Sequence, residues 1–556
     1  MQSSDDAMPM PAPDVLVVGA GPVGQTAAHE LVRRGVRVRL VDGAAGPAVT
    51  SRATANHART LETYYQMGIL DDLLPRGQRA EHFTMHRAGR ELIRFDTDYS
   101  TLPTRFPFTL QVDQVITEEV LRDRLRDYGV EVEWGVGLTE VTPRPDGVDA
   151  RLVHADGTVE EVTVPWLVGA DGGHSVVRRQ LGFELLGDST ETWLIADAVL
   201  EADLPRDSLH WLHVEGGTIL LVPFPEPGKW RLLDTRDVDD ADRPDLVSAR
   251  FARKISRALG QDVVVRTPTW ISVFTIQQRM VQQMRSGRCF VAGDAAHVHS
   301  PASGQGMNTG IQDACNLGWK LADVIHGHAA DELLDTYAAE RVPIGETLLN
   351  STRTATGLVA LRNAAAPVAL PLGLGFLKAV KPLKRKVERT MMGGMSGLLL
   401  DYAASPLTMT GAAEDGVAGG IAAGHRVGCS SETELSSPGW RAMNAELADP
   451  RWTLLVFAGD SAHPAGLRED LERLDDSYGA AVSVRTVYGL SAPPPDALHP
   501  LADPGNRLAT DFGARAGHFV LVRPDGYVCG KGRFGDAQQM ARALRRAQLL
   551  PGKDTQ

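Results

Sequence analysis

The sequence predicts an α/β fold: a doubly wound parallel sheet, an antiparallel sheet inserted into it, and a smaller α/β tail. Three glycine-rich segments carry that prediction. The first, Gly19-Ala20-Gly21-Pro22-Val23-Gly24, follows the apolar run Val15 to Val18. The second is Gly169-Ala170-Asp171-Gly172-Gly173. The third is Gly293-Asp294-Ala295-Ala296-His297, continued by Pro301-Ala302-Ser303-Gly304-Gln305-Gly306-Met307-Asn308. Together they indicate one dinucleotide held at three places.

Residues 14–18 read as a buried parallel strand. Gly19 permits the tight turn, Gly21 lets backbone approach a pyrophosphate, and Gly24 lets the next helix pack closely. That helix is expected from about Gly24 to Arg34, its positive end aimed at phosphate. A second strand, Val36 to Val41, ends at Asp42, where an acid can bond a ribose 2′-hydroxyl. This is a Rossmann-like unit, and the acid suits FAD or NAD over NADP.

The other two segments favour FAD, because an NAD-only dehydrogenase has no need of them. Residues 14–350 resemble the class A flavoprotein monooxygenases, the para-hydroxybenzoate hydroxylase-like aromatic hydroxylases. "WLVGADGGHSVVRRQLG" (Trp166 to Gly182) is similar to the family's second fingerprint. "GRCFVAGDAAHVHSPASGQGMNTGIQDACNLGWKLADVI" (Gly287 to Ile325) is similar to its flavin-ribityl fingerprint. The resemblance implies that Asp171 and Gly172 bind the cofactor and that Asp294 bonds the ribityl chain. It puts Gly304, Gly306, Met307 and Asn308 at the flavin's pyrimidine edge. A helix starting near Thr309 would favour the anionic reduced flavin there. Arg52 matches a family position beside FAD phosphate or ribose, and Gln111 another that bonds FAD. The family's Glu-Arg after the second strand is Asp42-Gly43 here, which leaves one adenosine contact open.

The implied chemistry is monooxygenation. NADH or NADPH reduces a non-covalent FAD, dioxygen gives a C4a-hydroperoxide, and one oxygen passes to a phenolic or polycyclic aromatic substrate. Pro301 would line the flavin where that adduct forms. Flavin does the hard step, and no dedicated protein acid or base is recognisable. Baeyer–Villiger insertion by the same peroxyflavin and a flavin dehydrogenase or reductase are the competing readings. For the substrate, Trp211 and His213 share one face of a strand, and Phe224 follows the partner strand. His57 is a further candidate.

The chain has 556 residues, 43% hydrophobic and 23% charged, which fits a globular protein of more than one domain. A net charge of −13 argues against a nucleic-acid partner. Four cysteines (Cys289, Cys315, Cys429, Cys529) form no CxxC and no metal-ligand spacing. The first 13 residues carry no signal-peptide pattern. Val368 to Val380 is too short to span a bilayer. A cytoplasmic enzyme is expected, with no membrane partner.

The expected organisation is discontinuous. Residues 14–82, 106–182 and 287–350 form the FAD domain. Residues 83–105 and 183–286 form the substrate sheet, with a hairpin turn at Glu215-Gly216-Gly217. Residues 351–420 are a helical region and linker, with helix from about Thr309 to Arg389. Residues 421–556 alternate strand, helix, strand, hairpin and helix, with Pro524-Asp525-Gly526 as a turn. That order resembles the thioredoxin-like tail of the larger hydroxylases, including polyketide-tailoring enzymes of antibiotic biosynthesis. Without CxxC it cannot do dithiol chemistry. A structural role, or a homodimer contact, is expected of it.

Overall fold

The computed structural model describes residues 12–552, except 100, 215–216, 300–303, 361–365, 410–418, 459–466, 490–492, 494–496 and 535–536. Its first sheet has six strands. Their order is Arg285–Ser286, Cys289–Val291, Trp166–Gly169, Val15–Val18, Val38–Asp42 and Val132–Trp134. All neighbours are parallel except the first pair. Strands Val15–Val18 and Trp166–Gly169 are buried throughout, in one core with helix Pro22–Val32 and with a three-stranded meander. The first helix is Pro22–Val32, two residues earlier than expected at each end. Proline at its first turn explains the shift: it lacks an N–H that the turn would leave unpaired anyway.

A three-stranded meander, Val136–Pro143, Val148–His154 and Val159–Val164, packs beside this sheet. The sequence reading did not separate it from the surrounding domain.

The large second sheet joins His82–Arg87 and Arg90–Asp96 to strands drawn from residues 186–298. Its order runs His297–Val298, Trp270–Met280, Leu186–Glu201, Lys229–Asp234, Gly217–Pro223, Ser208–Val214, His82–Arg87, Arg90–Asp96. The expectation of a purely antiparallel sheet needs correction. Ser208–Val214 runs parallel to His82–Arg87. The two strands come from distant chain segments, so no hairpin constrains their direction. Helix Pro244–Leu259, also unforeseen, covers one face of this sheet. The hairpin residues Glu215 and Gly216 lie outside the described residues.

The long helical stretch is divided into Gly306–Ile325, Asp335–Ala360, Ala366–Ala379 and Lys381–Ser396. Gly327 takes a left-handed φ of 73° after the first of these. The tail sheet has the order Pro500–Ala502, Val482–Tyr488, Trp452–Phe457, His518–Val522, Val528–Arg533. Its first three strands are parallel and its last two antiparallel to their neighbours. The tail is not tethered at a distance. Trp319 of the Gly306 helix shares a core with Trp452, Leu454 and Phe519, and the two indoles meet edge to face at 5.2 Å. All four cysteines are free and buried. Among the described residues, no helix is long and apolar enough to cross a membrane.

Candidate active site

Strands Val15–Val18, Trp166–Gly169 and Cys289–Val291 are neighbours, with Val18 beside Gly169 and Gly169 beside Val291. The three glycine-rich turns therefore leave the same sheet edge side by side. This is the end of an open α/β sheet where ligands bind.

The first turn is shaped for close approach. Gly19 has φ 100° and its N–H donates to Val41 O at 2.8 Å. A Cβ at Gly19 would collide with the Ala170 carbonyl, and one at Gly24 with the Gly19 carbonyl. At Gly21, by contrast, a Cβ would meet nothing within 4 Å. Gly21 caps helix Pro22–Val32 without a side-chain hydrogen bond. The helix therefore offers backbone donors and its positive dipole end to an anion. Asp42 is held by the N–H groups of Ala20 (2.7 Å) and Ala44 (2.8 Å), one on each carboxylate oxygen. Each oxygen keeps a lone pair for a hydroxyl donor.

Gln111 is fully buried on strand Thr109–Gln111. Its Oε1 accepts from Thr54 Oγ1 at 3.1 Å, while its Nε2 has no partner among the described residues. A buried donor of this kind is costly unless a ligand accepts from it. Asp294 is solvent-accessible, yet surrounding protein pushes its carboxyl upward, opposed by His297 and Arg52. Arg52 lies close enough to act on both Asp294 and Glu118. The donors, the open helix end and the glycine cradle fit FAD. Gly21 could hold a pyrophosphate, Asp42 a ribose, and Asp294 a polyol.

In the cofactor turns, three expected contacts serve other purposes. The Asp171 carboxylate accepts from Ser175 Oγ (2.5 Å), Val176 N (2.6 Å) and Val177 N (3.2 Å). It anchors the start of helix Val176–Gln180, so its role is to shape the turn. Gly172, with φ 76° and open space at its Cα, remains free to face a ligand. The Asn308 side chain is committed as well. Its Oδ1 accepts from His57 N (2.9 Å), and its Nδ2 donates to Ala55 O (2.8 Å) and Gly304 O (2.7 Å). It pins the loop instead of pointing out of it. Met307 packs its side chain against the cluster of Leu61, Tyr64 and Leu110. Helix Gly306–Ile325 starts three residues before the expected Thr309, so Met307 and Asn308 already have helical side-chain directions. Gly304 has φ 62°, with His57 against it, and Gly306 has open space. Pro301 lies outside the described residues.

His57 is buried, and its Nδ1 meets Thr109 Oγ1 at 3.1 Å. It caps helix Ala58–Gln66 and braces the Gly304 turn. Phe224 is also enclosed, with Lys229 Nζ 4.4 Å and the Arg231 guanidinium 5.3 Å from its ring centre. Enclosed to this degree, it is a packing residue.

Trp211 and His213 share the sheet face from which Arg231 reaches the loop of Ser51 and Arg52. Leu212, Ile219 and Leu221 occupy the opposite face under helix Pro244–Leu259. On the Trp211 side, cross-strand pairing places Leu220, Val222, Arg231 and Asp197. Arg231 reaches the FAD domain from there, donating to Ser51 O (2.8 Å) and Arg52 O (2.7 Å). Among the described residues, Trp211 Nε1 and His213 Nε2 are buried without protein partners. Burial pushes the His213 imidazole down to about 4, with Arg87 adding to the effect, so it is neutral at pH 7. Two polar atoms two residues apart thus face the same space.

Sequence reasoning missed a buried cluster behind the third turn. Asp313 accepts from Gly293 N (3.1 Å) and Arg341 Nε (2.7 Å), and meets His297 Nε2 at 2.5 Å. His299 Nε2 meets His297 Nδ1 at 2.8 Å. Nearby positive charge holds the Asp313 carboxyl down to about 2 despite burial. The Gly306 helix does carry Asp313 in its pattern, but only the tertiary fold brings Arg341 and His297 to it.

A doubly wound sheet with three convergent glycine turns, an open anion-binding helix end and a covering sheet defines an FAD-binding site. The family model "FAD binding domain" matches residues 12–352, and the chain belongs to that family. It is an enzyme, an FAD-dependent aromatic monooxygenase. It is 57% identical over 542 residues to a 6-methylpretetramide 4-monooxygenase of Streptomyces rimosus, covering 97% of this chain and 94% of that protein. It is 36% identical over 363 residues to a 12-dehydrotetracycline 5-monooxygenase/anhydrotetracycline 6-monooxygenase of Streptomyces rimosus subsp. rimosus, covering 62% and 70%. Among solved structures, an anhydrotetracycline hydroxylase from Streptomyces rimosus superposes with TM-score 0.71 at 28% identity, covering 97% of this chain and all of that one. An aromatic hydroxylase from angucycline biosynthesis gives 0.70 at 28%, covering 98% and 100%.

Proposed function

We propose that the enzyme hydroxylates a fused-ring phenolic polyketide of the pretetramide type. The carrying observation is the 57% identity to the 6-methylpretetramide 4-monooxygenase, sustained over nearly the full length of both chains. Bound FAD, once reduced by NADH or NADPH, supplies activated oxygen for transfer to an electron-rich ring. The protein's part is to hold and enclose. Gly19, Gly21, Gly24, Asp42, Arg52, Gln111, Gly172 and Asp294 bind the cofactor, and the Gly304 to Asn308 segment shapes the loop over it. Trp211 and His213 orient the substrate, offering an indole N–H and a neutral imidazole nitrogen to its oxygen substituents. Water exclusion by this face keeps the oxygen transfer coupled to substrate. We also read the tail as thioredoxin-like without redox chemistry, the enzyme as cytoplasmic, and the assembly as a homodimer.

Incubating the purified enzyme with 6-methylpretetramide, NADPH or NADH and air tests this reading. A product one oxygen heavier supports it. Nicotinamide oxidation that yields only hydrogen peroxide with that compound, but product with a small phenol, would exclude the fused-ring substrate. Loss of two hydrogens without oxygen gain would indicate a dehydrogenase.

A further inference from the structure

The tail reaches into the FAD domain through one turn. Arg523 and Asp525 stand on either side of Pro524, and both are buried. Asp525 Oδ2 accepts from Trp319 Nε1 (3.2 Å) and Asn316 Nδ2 (3.4 Å), both on helix Gly306–Ile325. Asn316 Nδ2 lies 3.3 Å from Tyr402 OH, and Arg341 Nη1 donates to that hydroxyl at 3.1 Å. Arg341 Nε binds Asp313, which accepts from the backbone N–H of Gly293. An unbroken chain of buried polar contacts therefore runs from the tail turn to the residue preceding Asp294. A second branch leaves the same turn. Asp525 O accepts from Arg59 Nη2 at 2.6 Å. Arg59 lies on helix Ala58–Gln66, whose N-terminal residue His57 braces Gly304.

We propose that Arg523 and Asp525 are positioning residues for the cofactor loops, acting through Tyr402, Arg341 and Asp313. The proposal rests on the assignment of Gly293–Asp294 and Gly304 to the FAD site. Arg523 is itself fixed on both edges, to Glu340 (2.7 and 2.9 Å) and to Asp525 (2.9 and 2.6 Å). Buried charges tied in this way have few alternative arrangements, since moving one leaves another unpaired. A tail without a CxxC pair thus has a function: it fixes the helix whose first turn forms the flavin-facing loop. Coupling of this kind is reciprocal, so FAD binding must be felt at the tail turn.

The test uses the full-length protein. Amide hydrogen exchange of residues 523–528 is compared with and without FAD, in wild type and in Tyr402→Phe. That substitution removes the hydroxyl where Arg341 and Asn316 meet and leaves the ring. FAD should slow wild-type exchange at the turn by about threefold or more. In Tyr402→Phe the slowing should fall by half or more, because only the Arg59 branch remains, the FAD Kd should rise about 5- to 20-fold, and the bound flavin's visible circular dichroism should change. Trp440→Phe serves as the control. It removes a tail hydrogen bond to Asp511 (2.8 Å) away from the chain of contacts, and should leave the FAD Kd unchanged. Unchanged wild-type exchange on FAD loading would overturn the proposal. So would a full response in Tyr402→Phe, or equal FAD weakening by Trp440→Phe. If Tyr402→Phe does not fold, the wild-type comparison decides alone. A wild type that binds no FAD would refute the cofactor-site reading instead.

Discussion

Arg231 and Asp197 face each other across adjacent strands, joined by two 2.8 Å hydrogen bonds. The outer edge of the same guanidinium holds the carbonyl oxygens of Ser51 and Arg52. One buried side chain thus locks the substrate sheet to the loop that carries Arg52 toward Asp294. A planar five-donor fork is needed for this, and an ammonium cannot reproduce it. Arg231→Lys should keep the charge and lose the loop. We expect FAD affinity to fall about tenfold, equivalent to ~1.4 kcal/mol. Fluorescence titration of flavin into the folded apoprotein measures it, and unchanged affinity would free the loop from this pairing.

Asp294 gives a second prediction. Its carboxyl is desolvated, and among the described residues no protein group donates a hydrogen bond to it. Replacing it with alanine therefore removes no folding contact, only an acceptor for ligand hydroxyls. Asp294→Ala should retain wild-type thermal stability and bind FAD roughly 10- to 100-fold more weakly, the worth of one or two charge-assisted hydrogen bonds. Full flavin occupancy after gel filtration of the variant would contradict that role. In wild type, denaturation should release all the flavin, because the FAD is non-covalent.

These two sites differ in how far sequence could reveal them. Gly19, Gly21, Gly24 and Asp42 lie within one short strand-helix-strand unit, so their spacing alone states their geometry. Asp294 follows a strand in the same local way. Arg231 acts on carbonyls 179 and 180 residues away, a pairing no local pattern encodes. The fate of Asn308 and Asp171 was hidden for a related reason. A motif shows that a polar residue is present, but its bonds depend on neighbours such as His57 and Ser175. The face bearing Trp211 followed from strand alternation, whereas enclosure of Phe224 depended on Lys229 and Arg231 arriving from the next strand.

Acid stability should follow the buried histidines. Burial holds His210 and His213 down to about 4, against about 6.5 unfolded. Between those values the unfolded chain binds more protons, so stability rises with pH across the window. Acidifying from pH 7 to pH 5 should therefore lower the Tm by several degrees. Each ring contributes at most about 3 kcal/mol over the whole window. His213→Leu should show a shallower dependence of Tm on pH between 5 and 7. Identical slopes for variant and wild type would mean that His213 is not held neutral.

The sharpest prediction concerns Trp211. Its indole stands edge-on to Phe83 at 6.5 Å, and its Nε1 has no acceptor among the described residues although it is buried. Such an N–H is costly unless a substrate oxygen takes the bond, and it lies on the face that Arg231 docks against the FAD domain. Two substitutions separate packing from hydrogen bonding. Trp211→Phe keeps an aromatic wall and removes the donor, so KM for the aromatic substrate should rise about 5- to 10-fold, in line with one neutral hydrogen bond. Trp211→Ala also opens the enclosure. Product formed per nicotinamide oxidised should then fall, with a matching rise in hydrogen peroxide, because water reaches the activated oxygen before the ring does. FAD affinity should change little in either variant, since the glycine turns and Asp294 hold the cofactor. A product-to-peroxide ratio equal to wild type in flavin-loaded Trp211→Ala would remove this residue from the site. Loss of FAD in place of coupling would mean that the indole supports the cofactor loop and not the substrate.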